Sequence, residues 1–296
     1  MKTVADKLAD DCVALKAMLR DLIENHSALK HWEDDPHSSV VVIGAQNDWQ
    51  PLSVDGRRLQ SRLVQEHKHY FAVLAVLVSG LTEDAKSELR EHEERVRAII
   101  EQTRSEWEGS KSKVLKDGLD ALDASQALLS RLYSTEGEWL VVPDTNALIA
   151  APNVEGWGFE GADRFTLVLT PTVLKELDGL KVGGRNEDLR NKIKSITNRL
   201  KEYLRRGDAA VGVPIVRDRI MLRSVATEPR VEQSLPWLDS SNADDRFLAS
   251  VIEIMRQHVR SRVGIVSEDI NMLNKANLAR IPVWEPPTVA VAEGGA

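Results

Sequence analysis

Carboxylates recur in the second half of the chain where short apolar runs give way to helical stretches. The residues concerned are Asp144, Glu176, Asp244, Asp245 and Asp269. In a parallel sheet, side chains at the carboxyl ends of the strands gather at one edge, where the next helices begin. Carboxylates gathered there stay ionised only beside a counter-charge, which a divalent cation supplies. The pattern therefore predicts an acidic pocket that holds Mg²⁺ or Mn²⁺, which are hard ions that prefer oxygen ligands.

A structural explanation competes for each of these residues taken singly. Aspartate is a common helix N-cap, so Asp144 alone would indicate capping more often than catalysis. Glu176 lies inside the helical stretch TPTVLKELDGLK and is not a cap, although a solvated glutamate on a helix is commonplace. Zinc is not predicted, because the seven histidines are scattered and five of them precede residue 70. Only the joint pattern of carboxylates favours a site.

The elements that would position these residues alternate between strand and helix from Leu140 onward. Strand-like runs are LVV, FTLVL, VPIV, IML, VGIV and IPVW, and helical stretches begin near Thr145, Pro171, Glu187, Asn242 and Glu268. This alternation predicts an α/β domain over residues 139–285, with a mostly parallel sheet flanked by helices. The stretch STEGEW (134–139) reads as the preceding linker, and residues 286–296, rich in Pro, Ala and Gly, as a disordered tail.

Residues 1–135 have a different pattern, which predicts helices almost throughout. One apolar seam recurs at steps of four and three: Leu8, Cys12, Leu15, Leu19 and Leu22. Similar spacing predicts helices over 63–77, from Thr82 onward and over 115–129, whereas Pro, Gly and Asn within 31–56 indicate a connection. We therefore expect an all-α bundle or hairpin before the α/β domain, serving assembly, regulation or substrate choice.

Composition limits the classes of protein that are possible. The chain has 296 residues, of which 42% are hydrophobic and 29% charged, as in ordinary globular proteins. Its single cysteine, Cys12, excludes an internal disulfide and favours a reducing compartment. No signal peptide is visible, and the longest apolar run, FAVLAVLV, is too short to span a bilayer. We therefore predict a cytoplasmic protein without membrane contact.

The order of the acidic motifs resembles that of the PIN domain family. DTNALI is followed by TPTVLKELDGLK, then by NADDRFLAS and finally by VSEDINMLNKA. The motifs are degenerate singly but fairly specific in this order, and they cover about half of the chain. The resemblance implies a Mg²⁺- or Mn²⁺-dependent hydrolase, an endoribonuclease that cuts single-stranded RNA. It does not tell whether one or two metal ions take part.

Site roles follow from the resemblance position by position. It makes Asp144 the first acidic ligand, Glu176 the second and Asp269 the last, with Ser267 completing a Ser-x-Asp motif. The third ligand is Asp244 or Asp245, and both remain metal candidates. Asp245 is slightly favoured as the catalytic one, because Leu248 and Ala249 then occupy the family's apolar and small positions. Asn146 and Ser267 would be polar groups that orient the ligands.

A basic stretch offers a place to hold RNA. Residues 181–206 carry nine basic and three acidic side chains on a protein of net charge −7. Phosphate contacts dominate nucleic-acid affinity, although a solvated helix face explains the pattern nearly as well. The predicted contacts are Lys181, Arg185, Arg190, Lys192 and Lys194. The nearby Trp157 and Phe159 either stack on unpaired bases or, more commonly, pack under their loop.

Two other functions remain open at this point. The helical half could make the protein a non-catalytic scaffold or RNA-binding protein, which assembles with itself or with a protein partner through its apolar seam. Alternatively, the same carboxylates could cut DNA, because carboxylates do not detect a 2′-hydroxyl group. We also expect Trp237 and Trp284 to pack in the core or at strand ends.

Overall fold

The computed structural model describes residues 2–31, 47–103, 110–132, 137–180, 187–258 and 260–287. The chain divides into two compact units, one of Asp6–Leu132 and one of Tyr133–Ala296 together with Met1–Ala5. Most of the predicted tail (286–296) and residues 134–136 of the predicted linker (134–139) lie outside the described residues, and the last residue of the linker, Trp139, already begins a strand. In the described ranges, no helix is long and apolar enough to cross a membrane.

The helical unit contains four long helices in its described residues. They are α1 (Val4–Asp21), followed directly by a π-helical turn (Leu22–His26), α2 (Val54–Val78), α3 (Glu83–Glu101) and α4 (Lys111–Leu132). All five residues of the predicted seam on α1 and its π-helical turn are buried. A Cβ atom on Gly118 of α4 would lie 2.9 Å from Leu19 Cδ2 and 3.1 Å from Ile99 Cδ1. A larger residue at this position would have to displace the ends of the Leu19 and Ile99 side chains, so the glycine lets α1, α3 and α4 pack closely here.

The region predicted as a simple connection contains strands. A short antiparallel pair is formed by β1 (Leu29–His31) and β2 (Asn47–Trp49). The sequence LKH has no clear alternation, and it is a strand because it pairs with a distant segment, with Leu29 opposite Trp49 and His31 opposite Asn47. Residues 32–46 between the two strands lie outside the described residues.

The second unit is an α/β fold, as the alternating pattern predicts. In the described residues its sheet has six strands: β3 (Trp139–Pro143), β4 (Phe165–Leu169), β5 (Val213–Val216), β6 (Ile220–Ser224), β7 (Arg262–Val266) and β8 (Val283–Trp284). Its helices are α5 (Thr145–Ala150), α6 (Pro171–Leu180), α7 (Glu187–Arg205), α8 (Ala243–Gln257) and α9 (Ile270–Leu278), with single 3₁₀ turns at Val154–Gly156 and Val231–Gln233. The helix expected from Glu268 begins at Ile270, because Asp269 caps it.

The order of strands in the sheet determines where a crevice forms. The order is β5-β6-β4-β3-β7-β8, and every described pairing is parallel except that of β5 with β6. All residues of β3 and β4 are buried, as expected for strands covered by helices on both faces. From β3 the chain moves to β4 on one side, and β7 later pairs with the other side of β3. Ligand crevices form at such switch points, beyond the carboxyl ends of the two strands.

Candidate functional site

Asp144 stands directly beyond the carboxyl end of β3 and has two structural duties. Its Oδ1 atom accepts a hydrogen bond of 2.6 Å from the backbone N–H of Ala147, which caps α5. Its Oδ2 atom accepts the hydroxyl hydrogen of Ser267, which follows β7. The cap explains why an aspartate follows the strand, and the second bond fixes the direction of the carboxylate. Capping and a role in the pocket are therefore compatible for this residue.

Ser267 connects the Asp144 carboxylate to the backbone of Asp269 through two hydrogen bonds. Its hydroxyl group donates to Asp144 and accepts the backbone N–H of Asp269 at 3.0 Å. The Asp269 side chain caps α9 by accepting the backbone N–H groups of Asn271, at 2.7 Å, and Met272, at 3.1 Å. Ser267 is completely buried, so water does not compete for these bonds. The Ser-x-Asp motif thus fixes the edge of the sheet at β3 and β7.

Glu176 approaches from α6, the helix that follows β4. The hydroxyl group of Thr145, the first residue of α5, donates a hydrogen bond to its Oε2 atom. This bond ties the second carboxylate to the residue next to Asp144. Thr145 was not predicted as a site residue, although its position directly after Asp144 in DTNALI could have suggested it.

The adjacent residues Asp244 and Asp245, in the first turn of α8, have different surroundings. Asp245 is buried, and its Oδ1 atom lies 2.7 Å from the Lys275 ammonium of α9. Its Oδ2 atom accepts the backbone N–H of Asp239 at 3.0 Å. Asp244 instead accepts a 2.8 Å hydrogen bond from the side chain of Asn271, and Lys275 lies 3.7 Å away. Asp244 therefore keeps an open side, whereas partners hold both oxygens of Asp245.

The carboxylates converge on one small pocket at the switch point. Its lining includes Asp144, Glu176, Asp244 and Asp269, together with Thr145, Asn146, Thr172, Val173, Ala243, Phe247 and Met272. Asp245 does not line it, and Ser267 lies beneath it on Asp144. The cavity measures about 40 Å³, enough for a cation with about one or two waters but not for a nucleobase.

Electrostatics in the pocket favour a bound cation. Burial raises the pKa of Asp144, and the negative charges of Asp269 and Glu176 raise it further, against hydrogen bonds from Ser267 and Ala147 that lower it. Like charges therefore act on one another across the pocket. In the described residues, no three Asp, Glu, His or Cys side chains form a closed metal cluster as they stand. The all-oxygen donor set nevertheless suits Mg²⁺ or Mn²⁺ in chemical terms.

The predicted nucleic-acid contacts fall into two groups. Lys181 and Arg185 lie outside the described residues. Arg190, Lys192 and Lys194 lie on α7 and are exposed to solvent. A further basic residue of this helix, Arg199, is partly exposed, and its guanidinium pairs with Glu155 at 2.8 Å.

The aromatic side chains named in the sequence analysis differ in their exposure to solvent. Trp157 and Phe159 are buried and pack edge to face, so neither is available to stack on a base. Their stacking role is therefore wrong, and the packing alternative holds. Trp284 packs against Trp139 and Phe159, as predicted. Trp237 was expected to be packed, but it is 36% exposed.

Comparison with known families identifies the second unit. The family model described as PIN domain matches residues 141–286. This half of the chain therefore belongs to the PIN domain family, which confirms the resemblance of its acidic motifs. PIN domains are generally metal-dependent nucleases. No curated protein matches the chain.

Several residues at the site were not predicted from the sequence. Thr145, Asn271 and Lys275 each bind one of the carboxylates. Asn271 and Lys275 occur in the quoted motif VSEDINMLNKA, two and six positions after Asp269. Asn271 and Lys275 are four positions apart and therefore lie on one face of α9, but the sequence does not show that this face meets α8.

Proposed function

We propose that the protein is a Mg²⁺- or Mn²⁺-dependent endoribonuclease that cuts single-stranded RNA in the cytoplasm. The observation that carries this proposal is the convergence of Asp144, Glu176, Asp244 and Asp269 on one pocket. They come from four separate segments of the chain, and membership of the PIN family supports a nuclease. The helical unit would serve assembly, regulation or substrate choice. It would do so by binding a second copy of the chain or a protein partner.

These four carboxylates would hold the cation, and Asp244 would be the third ligand. This assignment replaces the slight preference of the sequence pattern for Asp245, because both oxygens of Asp245 already have partners. When bound, the cation would supply Lewis acidity to a water molecule and to the scissile phosphodiester.

The protein's own residues would orient the ligands. Ser267 fixes the direction of Asp144, Thr145 that of Glu176, and Asn271 that of Asp244. Such outer hydrogen bonds typically contribute about 10–100-fold in metal affinity or activity. Asn146, exposed at the wall of the pocket, is a further polar group that could contact the cation's water or the substrate. Arg190, Lys192 and Lys194, with Lys181 and Arg185, would contact the RNA backbone.

Cleavage of labelled single-stranded RNA and DNA in Mn²⁺, Mg²⁺ or EDTA tests the proposal. We expect metal-dependent cleavage of RNA that Asp144→Asn and Asp269→Asn reduce by more than about 100-fold, beyond the loss of an outer partner. Glu268→Gln is the matched control, because this exposed neighbour of Asp269 does not line the pocket and should retain activity. Both aspartate variants should fold, since each removes one of several clustered like charges.

The other outcomes distinguish the alternatives. Cleavage of DNA in preference to RNA would replace the ribonuclease by a DNA nuclease. Absence of cleavage with intact Mn²⁺ binding would favour the non-catalytic scaffold or RNA-binding protein. Cleavage by the purified protein that persists both in EDTA and in Asp144→Asn would refute the assignment of the carboxylates as a metal site.

A further inference from the structure

Thr172 is a buried polar residue in the wall of the acidic pocket. It lies in the first turn of α6, is 4% exposed, and lines the pocket together with the four carboxylates. Thr172 and Glu176 are four positions apart, so they lie on the same face of α6. Glu176 is the carboxylate that this helix contributes to the pocket. The side chain of Thr172 therefore lies on the side of the helix that faces the carboxylates.

The hydroxyl group of Thr172 is buried, and it has no hydrogen-bond partner among the described residues. Two neighbouring threonines differ in this respect. The Thr145 hydroxyl donates to Glu176, and the Thr170 hydroxyl accepts the backbone N–H of Val173 at 3.4 Å. A buried hydroxyl without a partner costs free energy, and such groups are few in native proteins. The position of Thr172 in the wall indicates that its partner is a group bound in the pocket.

An unpartnered hydroxyl does not by itself identify a site. Thr197 of α7 is also buried, and its hydroxyl likewise has no partner among the described residues. Thr197 does not line the acidic pocket, whereas Thr172 does. The argument for Thr172 therefore depends on its place among the carboxylates, and Thr197 provides a matched comparison.

The hydration of the expected cation matches a hydroxyl group at this place. The cavity of about 40 Å³ holds a cation with about one or two waters. Mg²⁺ usually keeps several of its waters in proteins, and those waters need hydrogen-bond partners in the wall. A threonine hydroxyl has two lone pairs that accept hydrogen bonds. It accepts from a metal-bound water without adding to the negative charge that Glu176 and Asp269 already direct at Asp144.

We propose that Thr172 is a positioning residue whose hydroxyl group accepts a hydrogen bond from a water molecule bound to the cation in the acidic pocket. This inference rests on the proposed function, because it requires a divalent cation at these carboxylates. It adds to the site an uncharged group that lies one helical turn before Glu176 and outside the set of acidic ligands.

Binding of Mn²⁺ to the full chain, measured by isothermal titration calorimetry, tests the proposal without cleavage. Asp144→Asn identifies the ion that binds in the pocket, because it removes one of the ligands. Thr172→Val keeps the shape of the side chain and removes the hydroxyl. We expect it to raise the Kd of this ion by at least about 10-fold, as the loss of an outer partner does. Thr172→Ser keeps a hydroxyl and should restore most of the affinity.

Stability without metal separates this role from a structural one. The Thr172 hydroxyl bonds to no described residue, so Thr172→Val should not lower the free energy of unfolding in EDTA. Hydrogen exchange of the α6 amides in increasing urea measures this quantity. Thr197→Val is the matched control, because it makes the same change at a buried, unpartnered threonine outside the pocket. It should leave the Kd for Mn²⁺ unchanged.

The contrary outcomes are distinguishable. Parental Mn²⁺ affinity in Thr172→Val would overturn the role of Thr172 and leave the proposed metal site standing. Destabilisation of Thr172→Val in EDTA, or an equal loss of Mn²⁺ affinity in Thr197→Val, would trace the effect to packing and would also overturn it. A parent chain that binds no Mn²⁺ in the pocket would refute the proposed function together with this inference.

Discussion

Replacing Lys275 by methionine should destabilise the C-terminal unit severely. The side chains of Lys275 and Asp245 are 18% and 7% exposed, and their charged atoms are 2.7 Å apart. Removing one partner of such a buried pair typically costs about 3–5 kcal/mol, because the remaining charge is left uncompensated. Asp245 would keep only the N–H of Asp239 and would face the like charge of Asp244. We therefore expect the free energy of unfolding to fall by about 3–5 kcal/mol.

Two further variants test the cause of this loss. Asp245→Asn should cost less than Lys275→Met, because Lys275 already lies 3.7 Å from Asp244 and can pair with it instead. The double variant Asp245→Asn with Lys275→Met should be more stable than Lys275→Met alone, since no unpaired charge remains. The order of the three variants is thus the signature of an uncompensated Asp245.

The assay must report on the C-terminal unit, because a two-unit chain need not unfold in one step. Hydrogen exchange of the amides of α8 and α9 in increasing urea, read by mass spectrometry, gives the free energy of opening of this region. Lys116→Met, which removes a surface lysine of the helical unit, is a control for loss of an ammonium group. A Lys275→Met variant within about 1 kcal/mol of the parent, the range of exposed pairs, would refute the reasoning.

Two other substitutions have defined outcomes. Ser267→Ala removes the hydroxyl that joins Asp144 to the N–H of Asp269, and we expect kcat/KM for RNA cleavage in Mn²⁺ to fall about 10–100-fold. Ser267→Thr should retain most activity, and an unaffected alanine variant would contradict the positioning role. In the helical unit, burial lowers the pKa of His67 from 6.5 to about 4, against a bond to the Glu93 carbonyl oxygen that raises it. The neutral ring should stabilise the unit fully above pH 6.5, and about 3 kcal/mol should be lost as the pH falls to about 4. Urea unfolding at several pH values checks this, and a His67→Gln variant with the same loss would exclude His67 as the cause.

Much of the C-terminal fold is predictable from local patterns. The apolar runs that precede the motifs of Asp144, Glu176 and Asp269 are strands, and each is followed by a helix. This was predictable because strand and helix periodicity are properties of short segments. The parallel order of strands then brings their carboxyl ends to one edge. The helical seam from Leu8 to Leu22 was predictable for the same reason. The strands β1 and β2 were not predictable, because each is three residues long and is defined only by its pairing with the other.

The sequence by itself determined which carboxylates the chain has, their order, and the edge of the sheet at which they gather. Only the tertiary structure decided which of Asp244 and Asp245 faces the pocket and which aromatic side chain meets solvent. Neighbouring residues on a helix point about 100° apart, and the helix packed against them decides which direction is open. Here Lys275 of α9 engages Asp245, so that Asp244 faces the pocket. Likewise, Trp157 and Trp237 both lie in loops, and only the packing of those loops buries the first and exposes the second.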